Sequence, residues 1–139
     1  MGNFKSDLMK GKRGLVMGVA NEKSIAWGMA KTLAEHGAEL AFTYQGDAFG
    51  KRVKPLAESV GSSIVIDCDV SDENDLDNAF AALQQEWDSL DFIIHAVAFS
   101  DKEELKGRYV DTSLQNFTNS MHISCYSFTS VMRRAAPMM

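Results

Sequence analysis

The turn that follows the first apolar run carries residues that could bind a phosphate. Gly18 ends the run, and Ser24 comes six residues later, at the start of a segment with helical spacing. Glycine lets the backbone approach a ligand closely. A serine hydroxyl can cap the helix and donate to a phosphate, and free N–H groups at Ser24 and Ile25 attract an anion. Because the spacing is not the usual G-x-G-x-x-G, an ordinary capped helix explains it equally well.

Two further runs end in residues that suit a nucleotide. Gln45 follows the second run, where an NAD site usually has an acidic residue and an NADP site an arginine. Asp69 follows the third run, and its carboxylate could accept a hydrogen bond from an adenine amino group, with Val70 against the ring. Alternatively, Asp69 only caps the next helix. Lys51 and Arg52 could reach a 2′-phosphate but are more typical of a solvated helix face, so we expect NADH rather than NADPH.

The fourth run ends in small residues that leave room for a flat ligand, although ordinary close packing would need the same residues. They are Ala96, Val97 and Ala98. The adjacent His95 has no metal-ligand spacing with the other histidines and is expected to be a packed or capping residue. Cys68 and Cys125 lie far apart and are expected to be reduced, mostly buried thiols. We therefore expect no metal site.

Apolar runs alternate with amphipathic segments along the whole chain. The predicted strands are 13–18, 38–44, 63–67 and 91–97, and the predicted helices are 24–36, 47–59, one that begins at Ser71, and 113–136. Gly37 is a typical helix stop, and Gly28 would allow the first helix to pack closely on its strand. The apolar positions at helical spacing are Ile25, Met29 and Leu33, then Leu76, Phe80 and Leu83, and finally Phe117, Met121, Phe128 and Met132.

These elements predict an α/β fold. Strands with no polar face belong in a parallel sheet that helices cover on both sides. Right-handed crossovers then favour a doubly wound, Rossmann-type sheet with the order 3-2-1-4, in which strand 4 lies at an edge. Ligands of such sheets bind beyond the carboxyl ends of the strands. We expect residues 1–139 to form a single dinucleotide-binding domain.

Composition excludes several other classes. The chain has 139 residues, of which 45% are hydrophobic and 24% charged, with a net charge of −5. It is too apolar for a disordered chain, and its acidic balance argues against nucleic acid as the main partner. No apolar run approaches the ~18 residues of a membrane span. With no secretory signal at its start, the chain is expected to be cytoplasmic.

Six segments of the chain together resemble those of a known family. They are GVANEKSIAWG (18–28), AFTYQ (41–45), CDV (68–70), HAVAF (95–99), LKGRYVDTS (105–113) and HISCYSF (122–128). In this order they resemble the enoyl-acyl-carrier-protein reductases, a divergent branch of the short-chain dehydrogenase/reductase superfamily. The five residues inserted between Gly18 and Ser24 are distinctive of this branch.

The resemblance implies a role for each candidate residue. It assigns Gly18, Ser24 and Ile25 to the pyrophosphate and ribose. The adenosine would be bound by Gln45, Asp69 and Val70, and the ribose and nicotinamide side by Ala96, Val97 and Ala98. Ile123 would lie near the adenine-side ribose, and Phe99 and Ser100 would lie at the mouth of the acyl pocket. The implied reaction is NADH-dependent reduction of a trans-2-enoyl thioester on acyl carrier protein in fatty acid biosynthesis. The complete protein would be a homo-oligomer, a tetramer, with the last helix taking part in subunit association.

The catalytic residues of the family are a Tyr and a Lys separated by six residues, which follow a fifth strand. They are therefore expected beyond Met139, so that the chain resembles the amino-terminal half and is expected to be inactive alone. The local match Tyr44…Lys51 lies at the adenosine end and is rejected as catalytic. Tyr109 and Tyr126 have no lysine seven residues on, and are expected to pack in the loop and in the long helix.

Two other functions stay open at this point. One is a different short-chain reductase acting on a ketone or alcohol, which the insert and the HAVAF segment disfavour. The other is a non-catalytic nucleotide-binding or assembly module, which the missing catalytic half makes plausible.

Because the carrier protein of the family is acidic, the resemblance also implies a basic docking patch. Arg133 and Arg134 are candidates, although a solvated helix end is more usual.

Overall fold

The computed structural model describes residues 6–139 of the chain. The strands are β1 (Arg13–Met17), β2 (Glu39–Tyr44), β3 (Val65–Asp67) and β4 (Phe92–His95). The α-helices are α1 (Ile25–Glu35), α2 (Gly46–Ser59), α3 (Glu73–Glu86), α4 (Leu114–Met121) and α5 (Ser127–Ala135). A π-helical turn (His122–Tyr126) joins α4 to α5, and short 3₁₀-helices cover Lys102–Leu105, Tyr109–Asp111 and Ala136–Met138.

The strands form one parallel sheet in the order β3-β2-β1-β4. In its register, Val16 of β1 lies between Phe42 of β2 and Ile94 of β4. The predicted order is confirmed, and β4 lies at an edge of the sheet as expected. Because all the strands run in the same direction, their carboxyl ends meet at one end of the sheet, where ligands of this architecture bind.

Helices cover both faces of the sheet. On one face, Leu15 and Met17 pack with residues of α3 and α5, and on the other face Val16 packs with residues of α1 and α2. These three side chains are at most 2% exposed. The alternation follows from the two-residue period of a strand, and burial on both faces explains why the strands have no polar side. The predicted doubly wound α/β fold is confirmed.

The packing face of α1 differs from the one that the predicted apolar positions Ile25 and Met29 suggest. Ile25 is 81% exposed and Met29 40% exposed. The buried residues of α1 are Ala26, Trp27 and Ala30. A Cβ at Gly28 would meet no atom within 4 Å, so the prediction that Gly28 packs closely on a strand is wrong. Gly37 has a φ of 97°, which glycine adopts without steric cost, and the predicted stop is confirmed.

The start of α3 lies one residue later than predicted. Asp72, not Ser71, is the N-cap, and its carboxylate accepts hydrogen bonds from the N–H of Asn74 at 2.8 Å and of Asp75 at 3.3 Å. A carboxylate at this position also interacts favourably with the helix dipole. The predicted apolar face of α3 is confirmed: Leu76, Phe80 and Leu83 are at most 5% exposed.

The predicted helix 113–136 is not continuous, because the π-helical turn interrupts it. A π turn is wider than an α turn and so changes which residues face the sheet. Of the apolar face predicted for this segment, Phe117, Met121 and Phe128 are each 45–49% exposed and so pack only partly against the rest of the chain. The side chains that are buried instead are Asn116, Ser127, Ser130, Val131 and Ala135.

Two simpler features complete the description. No helix within residues 6–139 is both long and apolar enough to cross a bilayer. Cys68 is a buried free thiol, as predicted, whereas Cys125 lies on the π-helical turn and is exposed, so the prediction that both thiols are buried is wrong for Cys125.

Candidate functional site

A cleft of about 200 Å³ lies at the carboxyl end of the sheet. Six of the predicted cofactor-binding residues line it: Gly18, Gln45, Val70, Ala96, Val97 and Ala98. They follow four different strands, and the parallel sheet brings them together from distant parts of the sequence. The other four predicted cofactor-binding residues do not line the cleft: they are Ser24, Ile25, Asp69 and Ile123.

Gly18 forms the junction between the ends of β1 and β4. Its φ is 103°, and a Cβ there would collide with the carbonyl oxygen of Ala96. The N–H of Ala96 donates to the carbonyl of Met17 at 3.0 Å, which holds the two chain segments together. This junction forms two walls of the cleft. It requires glycine at position 18 even without a ligand.

Ser24 lies before α1, but its side chain does not cap the helix. Instead, Oγ accepts hydrogen bonds from the N–H of Ala20 at 2.9 Å and of Asn21 at 3.1 Å, and so closes the loop between β1 and α1. A hydroxyl that accepts two hydrogen bonds still has its proton to donate. Ile25 is the first residue of α1, and the first N–H groups of a helix have no partner within it. The turn therefore offers donors to an anion.

Several residues that the sequence reasoning did not assign to the cofactor also line the cleft. They are Val19, Ala20, Thr43, Tyr44, Phe49 and Cys68. Phe49 is 41% exposed and lies outside the buried face of α2. Phe49 could have been found from the sequence, because it is an aromatic residue outside the packing face of a helix that begins where a strand ends. Lys51 and Arg52 are exposed on α2, as expected for a solvated helix face.

The segment after β3 contributes Val70 and Cys68 to the cleft, while Asp69 faces the loop. Oδ1 of Asp69 accepts hydrogen bonds from the N–H of Ser71 at 2.9 Å and from its hydroxyl at 2.6 Å. Burial raises the pKa of the Cys68 thiol to about 12, and the nearby Asp75 and Asp69 add to the shift. Cys68 is therefore a protonated, apolar part of the wall at neutral pH rather than a nucleophile.

The last strand is fixed to the π-helical turn behind the cleft. The Ser127 hydroxyl donates to the carbonyl of Ile123 at 2.6 Å, so Nε2 of His95 must be the donor in its 2.8 Å hydrogen bond to Ser127 Oγ. Burial lowers the pKa of His95, which keeps the imidazole neutral. The ring of Phe128 packs edge-on at 5.7 Å. His95 is a packed residue, as predicted, and Ile123 packs against the core.

Phe99 and Ser100 lie beyond the cleft, on the loop that follows β4. Phe99 lines a groove of about 960 Å³ between this loop and α4. Ser124 of the π-helical turn fixes Phe99: its Oγ accepts from the N–H of Phe99 at 2.9 Å and donates to its carbonyl at 3.2 Å. Ser100 Oγ accepts from Nδ2 of the buried Asn116 at 3.2 Å. The loop is therefore held by side chains of the helical segment behind it.

The three tyrosines lie in different surroundings. Tyr44 belongs to the cleft wall, and Nζ of Lys54 lies 5.7 Å from the centre of its ring. Tyr109 is 78% exposed in the loop. Tyr126 is 45% exposed, rather than packed, and its hydroxyl accepts a hydrogen bond from Arg133 at 3.1 Å.

Arg134 does not lie on a solvated helix end. Its side chain is only 14% exposed and pairs with Glu73 at 2.9 Å and Asp77 at 2.7 Å. Because α3 already neutralises it, Arg134 is not available for a basic docking patch. Within residues 6–139, no three His, Cys, Asp or Glu side chains come together as metal ligands would.

A family model described as enoyl-(acyl carrier protein) reductase matches residues 18–139. The chain belongs to this family. Enoyl-acyl-carrier-protein reductase (NADH) 2 of Rhizobium meliloti strain 1021 is 59% identical over 132 residues, which cover 95% of this chain and 49% of that protein.

Solved structures agree with the fold. The reductase of Anaplasma phagocytophilum, in complex with NAD, is 60% identical with a TM-score of 0.92, over 96% of this chain and 51% of that one. The Bacillus cereus enzyme, with NADP⁺ and indole naphthyridinone, is 40% identical with a TM-score of 0.91, over 95% of this chain and 52% of that one. The chain thus spans about half the length of the relatives that it matches.

Proposed function

We propose that this chain supplies the cofactor-binding half of an enzyme of fatty acid biosynthesis that reduces trans-2-enoyl thioesters on acyl carrier protein with NADH. One observation carries the proposal: residues that follow all four parallel strands line one cleft, within the part of the chain that the family model matches. The relative named for NADH and the family structure in complex with NAD support NADH as the cofactor.

The residues at the cleft fit a dinucleotide. The free O–H of Ser24 and the first N–H groups of α1, at Ile25, would bind the pyrophosphate. Gln45 and Val70 would contact the adenosine, and Asp69 keeps oxygen lone pairs with which to accept from the adenine amino group. The small side chains of Ala96, Val97 and Ala98 would allow the nicotinamide half to lie against the backbone, and Ile123 supports this wall from behind.

When bound, NADH supplies the hydride that reduces the β-carbon of the enoyl group. Phe99 and Ser100, held by the helical segment, would stand at the mouth of the acyl pocket. Among the titratable groups near the cleft, His95 is bonded to Ser127 and its pKa is lowered by burial, the pKa of Cys68 is high, and Tyr44 lies at the proposed adenosine end. We therefore infer that the family's Tyr and Lys, outside these 139 residues, stabilise and protonate the reduced substrate, and that this chain alone has no reductase activity.

The same proposal covers the partners. The half-exposed apolar side chains of α4 and α5, among them Phe117 and Phe128, suit an interface with further copies of the protein, as in a cytoplasmic homotetramer. The acidic carrier protein would need a basic surface, to which Arg133 remains a candidate.

The reaction is tested by following the oxidation of NADH with crotonyl thioester, using the complete gene product. We expect NADH loss that depends on the enoyl thioester, and none when the 139-residue chain replaces the complete protein. Activity with ketones and none with enoyl thioesters would reject the proposed substrate. Turnover by the 139-residue chain would reject the inference that its catalytic groups lie elsewhere.

A further inference from the structure

The end of β2 lacks the acidic residue with which a site of this fold usually selects NAD. That residue normally accepts hydrogen bonds from the ribose hydroxyls and repels a 2′-phosphate. Gln45 occupies the position here and carries no charge. Solved structures of the family include one with NAD and one with NADP⁺, so membership of the family does not itself determine the choice.

A carboxylate nevertheless lies beside this position, because the neighbouring strand supplies it. Asp67 is the last residue of β3 and lies opposite Tyr44 in the parallel register. Its Oδ1 accepts a hydrogen bond from the N–H of Gly46 at 2.9 Å. Gly46 directly follows Gln45, which lines the cleft. The side chain of Asp67 therefore reaches across from β3 to the turn between β2 and α2.

The position of this carboxylate matters because α2 begins at the same N–H group. The N-cap residue, Gln45, makes no side-chain capping bond, so the start of α2 would otherwise offer free N–H groups to a phosphate. Asp67 occupies the first of them, and Asp47 adds a second negative charge in the first turn. Lys51 and Arg52 are exposed on the following turn. Their positive charges offset the negative charge at the start of α2 only from a greater distance along the helix.

We infer that Asp67 makes the proposed cofactor site selective for NADH over NADPH. The inference rests on the proposed function and adds to it the residue that sets the cofactor preference. Ribose hydroxyls can donate hydrogen bonds to the carboxylate, whereas a 2′-phosphate brings two negative charges to a helix start that a protein carboxylate already occupies.

The test compares dissociation constants of NADH and NADPH for the complete gene product, measured by fluorescence titration at low salt. Asp67→Asn removes the charge and keeps an acceptor oxygen for Gly46. We expect it to improve the affinity for NADPH relative to NADH by about fivefold, as for one charge about 8 Å from a phosphate in a high dielectric. Asp67→Ser, which is also uncharged, should shift the ratio in the same direction, and added salt should diminish the difference.

The matched control is Glu58→Gln, which removes the same charge from an exposed residue near the far end of α2. Its ratio of affinities should equal that of the wild type. An unchanged ratio in both Asp67 variants, or an equal shift in the control, would overturn the inference while leaving the proposed function intact. Binding of neither nucleotide by the wild-type protein would overturn the proposed function, and this inference with it.

Discussion

At the scale of single residues, the Ser24 hydroxyl has two roles that its position in the sequence does not separate. Its oxygen holds the loop after β1 through the N–H groups of Ala20 and Asn21. Its proton remains available to a ligand. The pattern of the sequence predicts a serine at the start of a helix, but the partners of its oxygen depend on how the inserted residues fold back.

Ser24→Ala should therefore weaken the binding of NADH by about 2- to 12-fold, which corresponds to the ~0.5–1.5 kcal/mol of one hydrogen bond. The measurement is a fluorescence titration of the complete gene product. Ser59→Ala is a suitable control, because it also removes one serine hydroxyl. The Ser59 hydroxyl lies at the end of α2, where it donates to the carbonyl of Leu56. Identical affinities in the two variants would show that Ser24 does not contact the cofactor.

At the scale of elements, apolar periodicity predicts α3 well and the last helical segment poorly. In α3 the apolar residues form one stripe and are buried. In α4 and α5 the inward positions include Ser127 and Ser130, whose hydroxyls bond to Ile123 and to Glu73. A pattern based on hydrophobicity cannot identify buried serines whose partners lie on other elements. Apolar periodicity also gives no sign of the π-helical turn that separates α4 from α5.

Arg134 fixes α5 on α3, and its removal should destabilise that contact. Its guanidinium binds Glu73 and Asp77, and donates to the carbonyl of Ser130 at 3.0 Å. Arg134→Met keeps much of the side chain's length but removes these bonds, and should lower the free energy of unfolding by about 1 kcal/mol in urea titrations.

The control for Arg134→Met is Arg108→Met. Within residues 6–139, Arg108 pairs only with Asp111, and both side chains are at least 60% exposed, so loss of this pair should leave the urea midpoint unchanged. Equal effects of the two substitutions would mean that the bonds of Arg134 to α3 do not stabilise the fold.

At the scale of the whole molecule, the parallel sheet is what creates the site. The strand order could be predicted because strands with two buried faces and right-handed crossovers leave few alternatives. The same order places Gly18, Gln45, Val70 and Ala96 around one cleft, as the sequence predicts. The reach of Asp67 to Gly46 was not predictable, because it depends on the turn between two elements rather than on the strand order.

The central claim is that a dinucleotide lies across the ends of all four strands. Hydrogen–deuterium exchange of the complete gene product, with and without NADH, tests it most directly. We predict slower exchange on NADH binding in four separate segments, those around residues 18–25, 45–49, 68–70 and 96–98, with little change at the opposite end of the sheet. Protection confined to a single segment, or located away from the carboxyl ends of the strands, would contradict the account.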